Sequence, residues 1–146
     1  MREIKYRALG TKGWTQTEGK WYYGTNIFDR EDSQKNIFNL LFFEKHIRGN
    51  YIDKNTRGLS TFLFDRNNKE IFEGDIIMWG EPPYEEEIRI AIVEFNNCLQ
   101  FRRINNVIND VFYYHNFIYK DTEKYITILG NIHENPELII KASGDN

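Results

Sequence analysis

Short apolar runs broken by polar turns set the pattern of this chain. Ile4, Tyr6 and Ala8 alternate with Glu3, Lys5 and Arg7, the period-two signature of a strand with one buried face. Gly10-Thr11-Lys12-Gly13 follows as a turn, since glycine readily adopts positive φ. Gly19-Lys20-Trp21-Tyr22-Tyr23-Gly24 opens a second strand that continues towards Phe28, and the polar residues 29–35 form a loop. Residues 36–47 fit two readings. A helix capped by Ser33 would align Ile37, Leu40, Leu41 and Glu44. A strand would set Ile37, Asn39, Leu41 and Phe43 against Phe38, Leu40 and Phe42. The richness in Phe and Ile, and the turn at Arg48-Gly49-Asn50, favour the strand.

The densest pattern lies at 61–79. Two apolar runs, 61–64 and 70–73, flank the polar turn Asp65-Arg66-Asn67-Asn68-Lys69. A Gly74-Asp75 corner then leads into the apolar run 76–79. This reads as a β-hairpin feeding a buried strand. Tyr51 and Ile52 precede it as a short strand, separated by the loop 53–58. After the loop 80–87, Ile88, Ile90, Ile92 and Glu94 alternate with Arg89, Ala91, Val93 and Phe95, and Asn96-Asn97 turns the chain back into 98–104. Residues 105–109 are a loop, 111–119 an aromatic-rich extended segment, 121–124 a turn and 125–129 the last strand. Gly130-Asn131 turns the chain. Asn135-Pro136-Glu137 then carries a helix-start signal: a cap, a residue preset for the first helical position, and an acid suited to the positive end of the dipole. Leu138, Ile139 and Ile140 are expected to pin that short helical turn to the core, ahead of a polar tail, 141–146.

The tally of about ten short strands predicts a mainly β fold, a small barrel or sandwich with an N-terminal β-hairpin and a helical turn near the C-terminus. At 146 residues the chain reads as one domain, 1–146, with a hairpin subregion at 1–35 and the barrel at 50–140. An aromatic content of 16% agrees with strands.

A net charge of −3 and a pI of about 5.7 argue against a bulk nucleic-acid binder, but leave room for a local basic patch. Cys98, the single cysteine, allows no intramolecular disulfide and fits a reducing cytoplasm. The N-terminus has no apolar core of a signal peptide. Leu40-Leu41-Phe42-Phe43 is far short of the about 20 apolar residues of a membrane span. A soluble protein of the cytoplasm is expected.

Candidate chemistry is sparse. Glu73-Gly74-Asp75 could pair two carboxylates, but Gly and Asp commonly build a strand corner. Glu85-Glu86-Glu87 would point its carboxylates to alternate faces of an extended chain. His46, His115 and His133 lack metal-type spacing, and His133-Glu134 lacks the second His of a zincin helix. Cys98 has no nearby His to activate it and reads as a small apolar filler. No phosphate-cradling glycine motif occurs. Asp75 with Glu87-Ile88-Arg89 echoes a nuclease pattern only faintly, with Arg in place of Lys. Neither a cofactor nor a metal is expected. Arg102 and Arg103 beside Phe101, with Tyr113 and Tyr114, make the best local case for nucleic-acid contact, against ordinary cross-strand packing as the favoured reading. Trp79, Pro82, Pro83 and Tyr84 offer an apolar loop edge for a protein partner, again against ordinary loop packing.

The chain resembles the YopX family of phage and prophage proteins. The likeness starts at Met1-Arg2-Glu3-Ile4-Lys5-Tyr6-Arg7-Ala8 and Trp21-Tyr22-Tyr23-Gly24. Its long element includes Thr56, Gly58, Thr61, Leu63, Asp65, Asn67, Lys69-Glu70-Ile71-Phe72 and Glu73-Gly74-Asp75-Ile76. It ends at Ile128-Leu129-Gly130-Asn131-Ile132-His133-Glu134-Asn135-Pro136-Glu137-Leu138. Family members usually carry Gly where this chain has Phe62 and Asn68, and residues 80–87 and 105–123 match nothing distinctive. The resemblance implies a mainly β fold and expression inside a host cell of a low-GC bacterium, and it carries no catalytic residues over. The expected role is a non-enzymatic accessory protein that binds a phage or host protein. The alternative is a nucleic-acid-binding barrel in phage replication or transcription. A small hydrolase would need Asp75 and a His or Glu to converge in a pocket. Open strand edges in so aromatic a protein allow self-association.

Overall fold

The period-two runs become antiparallel strands in the computed structural model, which describes residues 4–11, 18–31, 37–42, 49–80, 88–105, 110–118 and 120–142. The chain gathers into two units, Met1–Ser60 and Thr61–Asn146. Glu85, Glu86, Glu87, Pro82, Pro83, Tyr84 and His46, considered above for binding, lie outside the described residues.

In the first unit, β1 (Tyr6–Leu9) pairs with β2 (Trp21–Gly24), and β4 (Ile37–Phe42) pairs with both β3 (Asn26–Glu31) and β5 (Gly49–Ile52). Within the segment with two readings, Ile37–Phe42 is therefore a strand, with a hydrogen-bonded neighbour on each side. Tyr6 and Arg7 also pair with Leu59 and Gly58, the opening residues of β6 (Gly58–Phe64). Ala8 and Ile52 are buried, with Tyr6 and Tyr22 packed on them. A 3-10 turn at Lys54–Thr56 closes this core. Thr56 Oγ1 donates to the Asp53 carbonyl at 2.7 Å and accepts the Leu9 N–H at 2.9 Å. Arg7 lies on the face expected to be polar, yet it is buried, with its guanidinium 4.4 Å over the Trp21 ring. Its long stem and delocalised cation suit an aromatic face.

In the second unit, β7 (Glu70–Phe72) lies beside β6, and Thr61 Oγ1 donates to the Ile71 carbonyl at 2.7 Å. A five-stranded antiparallel sheet follows: β8 (Asp75–Trp79), β9 (Arg89–Asn96), β10 (Cys98–Arg103), β11 (Val111–Tyr113) and β12 (Ile126–Asn131). Its order is β11-β10-β9-β8-β12. The sheet is open, so the mainly β expectation holds without a closed barrel. Alternation along β8 and β9 buries both faces. Ile77, Ala91, Val93 and Phe101 join Ile71 and Ile126 in one core. Ile76 and Ile92, register partners, join Ile104 in the other.

α2 (Glu137–Ala142) packs on this second core through Leu138, Ile139 and Ala142. Ile140 is 60% exposed rather than pinned, because successive helical residues turn by about 100° and it falls opposite Leu138. The helix continues through Lys141 and Ala142, so the polar tail begins later than the sequence suggests. Other local readings change as well, and residues 29–31, expected in a loop, belong to β3. The extended segment expected at 111–119 is a strand only to Tyr113 and then a 3-10 turn, Tyr114–Asn116. The turn expected at 121–124 is a short helix, α1 (Thr122–Tyr125).

The turn from β12 into α2 is tightly built. Asn131 Oδ1 accepts the N–H groups of His133 and Glu134 at 3.0 and 2.9 Å, and Asn135 Oδ1 accepts the Asn131 N–H at 3.1 Å. A Cβ at Gly130 would stand 2.5 Å from Asn135 Oδ1 and 3.0 Å from Asn135 Cβ. Gly130→Ala is expected to destabilise the protein by about 1–3 kcal/mol, the usual range of overpacking. Chemical denaturation measures it, and the added cost should shrink in an Asn135→Ala background, where the nearest atoms are gone.

Candidate ligand-binding site

Register builds this site. Trp79, at the end of β8, lies opposite Arg89 on one side and Ile126 on the other. Directly opposed residues project to the same face of a sheet, so three residues far apart in sequence stand in one row. The ring of Trp79 meets Phe112 edge-on, with centroids 5.5 Å apart at 86°, and meets Phe101 and Phe117 at 5.8 and 6.3 Å. The 3-10 turn after β11 brings Phe117 into this group, packed on Tyr114 and Phe101 with centroids 5.6 Å away in each case. The following loop is tied down twice: Tyr114 Oη donates to the Lys120 carbonyl at 3.0 Å, and Lys120 Nζ donates to the Tyr114 carbonyl at 2.8 Å. Thr122 Oγ1, at the start of α1, donates to the Phe64 carbonyl at 2.7 Å.

These elements line an open pocket of about 400 Å³, within the ~300–1,000 Å³ span of ligand pockets. Trp79, Phe112, Phe117 and Ile126 give it apolar walls, and Ile118 (89% exposed) and Tyr125 (49%) reach solvent beside it. Its basic group is Arg89, whose guanidinium lies 5.3 Å over the Phe112 ring. Arg89 Nε is buried without a hydrogen-bond partner, and no ion pair to Arg89 occurs among the described residues. Asp121, also in the lining, is instead paired with Lys124 Nζ at 3.3 Å. A second hollow of about 420 Å³ lies between Phe62, Leu63, Phe64 and residues 120–123, and shares Asp121 and Thr122 with the first. Phe62 and Phe64 are 36% and 37% exposed there.

The residues singled out for nucleic-acid contact do not share a surface. Phe101 is 0% exposed and cannot reach a base. Arg103 follows it on the same face, where its Nε donates to Asn105 Oδ1 at 2.9 Å and its Nη1 lies 3.7 Å from Asp110. Arg102 points the other way, as adjacent strand residues do. It pairs with Glu94 at 3.1 Å. Tyr113, opposite Gln100, shares that second face, while Tyr114 packs in the aromatic group. Of the protein-contact residues only Trp79 is described, and it forms part of the cavity wall rather than a loop edge.

The Glu73-Gly74-Asp75 corner serves the fold. Gly74 has φ +92°, and the 1% exposed Asp75 accepts the Phe72 N–H through Oδ2 at 2.8 Å. Gly130, Asn131, Asn135 and Pro136 build the turn described above. Cys98 opens β10, half-buried. Among the described residues no three His, Cys, Asp or Glu side chains gather as a metal site. The sequence offers Arg89 only within a faint nuclease echo and gives Phe112 and Phe117 no role, because no motif joins residues that only the fold brings together.

A family model described as YopX protein matches residues 5–140. Among solved structures, the crystal structure of protein EF1440 from Enterococcus faecalis is similar at 24% identity, covering 93% of this chain and 97% of that one, with a TM-score of 0.49. No curated protein matches the chain.

Proposed function

The chain belongs to the YopX family, and we propose that it is a non-enzymatic phage or prophage accessory protein that binds another protein in the host cytoplasm. The observation that carries this reading is the pair of hollows that share Asp121 and Thr122, where Phe62, Phe64, Ile118 and Tyr125 all remain exposed. Apolar side chains grouped on one surface mark interaction sites more often than scattered ones do. Among the described residues, the fully buried carboxylates Asp65 and Asp75 accept backbone N–H groups, a use that fits a scaffold. The phage setting is what the family resemblance implies. No helix among the described residues is long and apolar enough to cross a membrane.

Affinity capture from lysate of the infected host tests the reading. A partner should be retained by the wild-type protein and lost with Phe64→Asp or Tyr125→Asp, both at exposed positions where a charge leaves folding intact. Failure to retain a partner, or equal retention by these variants, would overturn it.

A further inference from the structure

We propose that the cavity beside Trp79 and Arg89 captures the C-terminal residue of a partner polypeptide, with the terminal carboxylate on the Arg89 guanidinium and a large apolar side chain among the rings. This deepens the binding role above and rests on it. Two features of the cavity carry it. The first is a cation that has no ion pair among the described residues. Arg89 lines the cavity, its Nε is buried without a partner, and its one described contact is the face of Phe112. A guanidinium presents a planar fork of donors that matches a carboxylate, and a stacked ring holds that fork in place. The second is the wall chemistry. Trp79, Phe112, Phe117 and Ile126 offer apolar surface beside the charge.

The two features together select the ligand. An internal Asp or Glu brings a carboxylate on a bare methylene stem and leaves the rings uncovered. A nucleotide holds its base a whole sugar away from its phosphate, whereas here the guanidinium lies 5.3 Å over a ring of the wall itself. A C-terminal residue carries both on one Cα. The volume of about 400 Å³ suits one large residue rather than a folded segment. The exposed Ile118 and Tyr125 leave an opening for the preceding chain. Asp121 is paired with Lys124, so its charge opposes an incoming anion less than a bare carboxylate would.

Calorimetry with N-acetylated hexapeptides ending in Phe or Leu, each as the free acid and as the C-terminal amide, tests this. The acid is expected to bind more tightly than the amide by about tenfold or more. Arg89→Met should abolish that difference while melting at or above the wild-type temperature, because it removes an unpaired buried donor. Ile118→Asp, at an 89% exposed position, provides a second variant that folds regardless of Arg89. It should weaken the acid by about fivefold through repulsion. N-acetyl-phenylalanine should bind more weakly than the Phe peptide acid. Equal binding of the two would assign the site to a small carboxylate and overturn the chain-end assignment. Equal affinity for acid and amide, no binding of either peptide at millimolar concentration, or an acid preference that survives Arg89→Met would overturn the proposal as well. A captured partner that peptide acid fails to displace would refute this inference and leave the binding role standing. Peptide binding without any captured partner would do the reverse.

Discussion

Asp65→Ala should lower the unfolding free energy by about 3–5 kcal/mol, the range for breaking a buried charged network. Asp65 is 1% exposed. Its Oδ1 accepts the N–H groups of Asn67 and Lys69, each at 2.9 Å, and so shapes the turn between β6 and β7. Its Oδ2 accepts the Ile128 N–H at 2.9 Å, 63 residues away on β12. Hydrogen bonds to a charged acceptor contribute about 1.5–3 kcal/mol each, though not additively. Alanine leaves three donors unpaired, and that of Ile128, inside the unit, is the hardest to return to water. Asp65→Asn separates the contributions. It keeps Oδ1 for the turn but sets an NH₂ group against the Ile128 N–H, so it should cost about half as much. Urea denaturation with an unchanged slope measures both variants. A loss below about 1 kcal/mol for Asp65→Ala would show that the carboxylate is not the link between turn and sheet.

Phe101→Ala should cost about 3–5 kcal/mol, the usual penalty for emptying a large aromatic site in a core. Phe101 is 0% exposed, and its ring meets Trp79, Tyr114 and Phe117 with centroids 5.6 to 6.2 Å away. The neighbouring Arg102→Ala should cost under about 1 kcal/mol, because its pair with Glu94 is partly exposed, with side chains 41% and 31% accessible. Thermal unfolding of the two variants side by side tests the contrast. It also separates the structural role of Phe101 from the role suggested by its basic neighbours. A base-stacking platform would lose binding on truncation and keep its stability, and a small change in melting temperature for Phe101→Ala would favour that view.

Much of the architecture is legible in the chain because its signals are local. A period-two run marks β9, and an apolar run after a Gly-Asp corner marks β8. Asn97, at the tip of the β9–β10 hairpin, has φ +66°, the left-handed geometry that Asn tolerates. Asn68 and Phe62 extend the point. The family resemblance implies Gly at both positions, and both residues are left-handed here, at φ +61° and +57°. Glycine there answers a backbone requirement. Asn68 meets it at low cost, whereas Phe62 holds a bulky side chain in a conformation that costs about 1–2 kcal/mol. The same locality explains the errors. Aromatic content alone made 111–119 look extended, yet the ties between Tyr114 and Lys120 close that segment into a turn.

The candidate site was not legible, because it depends on convergence. Trp79 and Arg89 looked like a loop edge and a faint nuclease echo, and Phe112 one aromatic among many. Strand register sets Arg89 and Ile126 on either side of Trp79, and the turn after β11 folds Phe117 against them. By itself, the sequence determined most of the strands and turns, the family and the absence of any known catalytic motif, since these depend on residue periodicity, on motif spacing and on the backbone preferences of Gly, Asn, Asp and Pro. Only the tertiary structure decided that Phe101 belongs to the core, that Arg103 turns to Asn105 and Asp110, and that Arg89 stands in an aromatic cavity without a counter-ion among the described residues. Burial and charge compensation are properties of neighbours in space, and strand pairing chooses those neighbours across tens of residues.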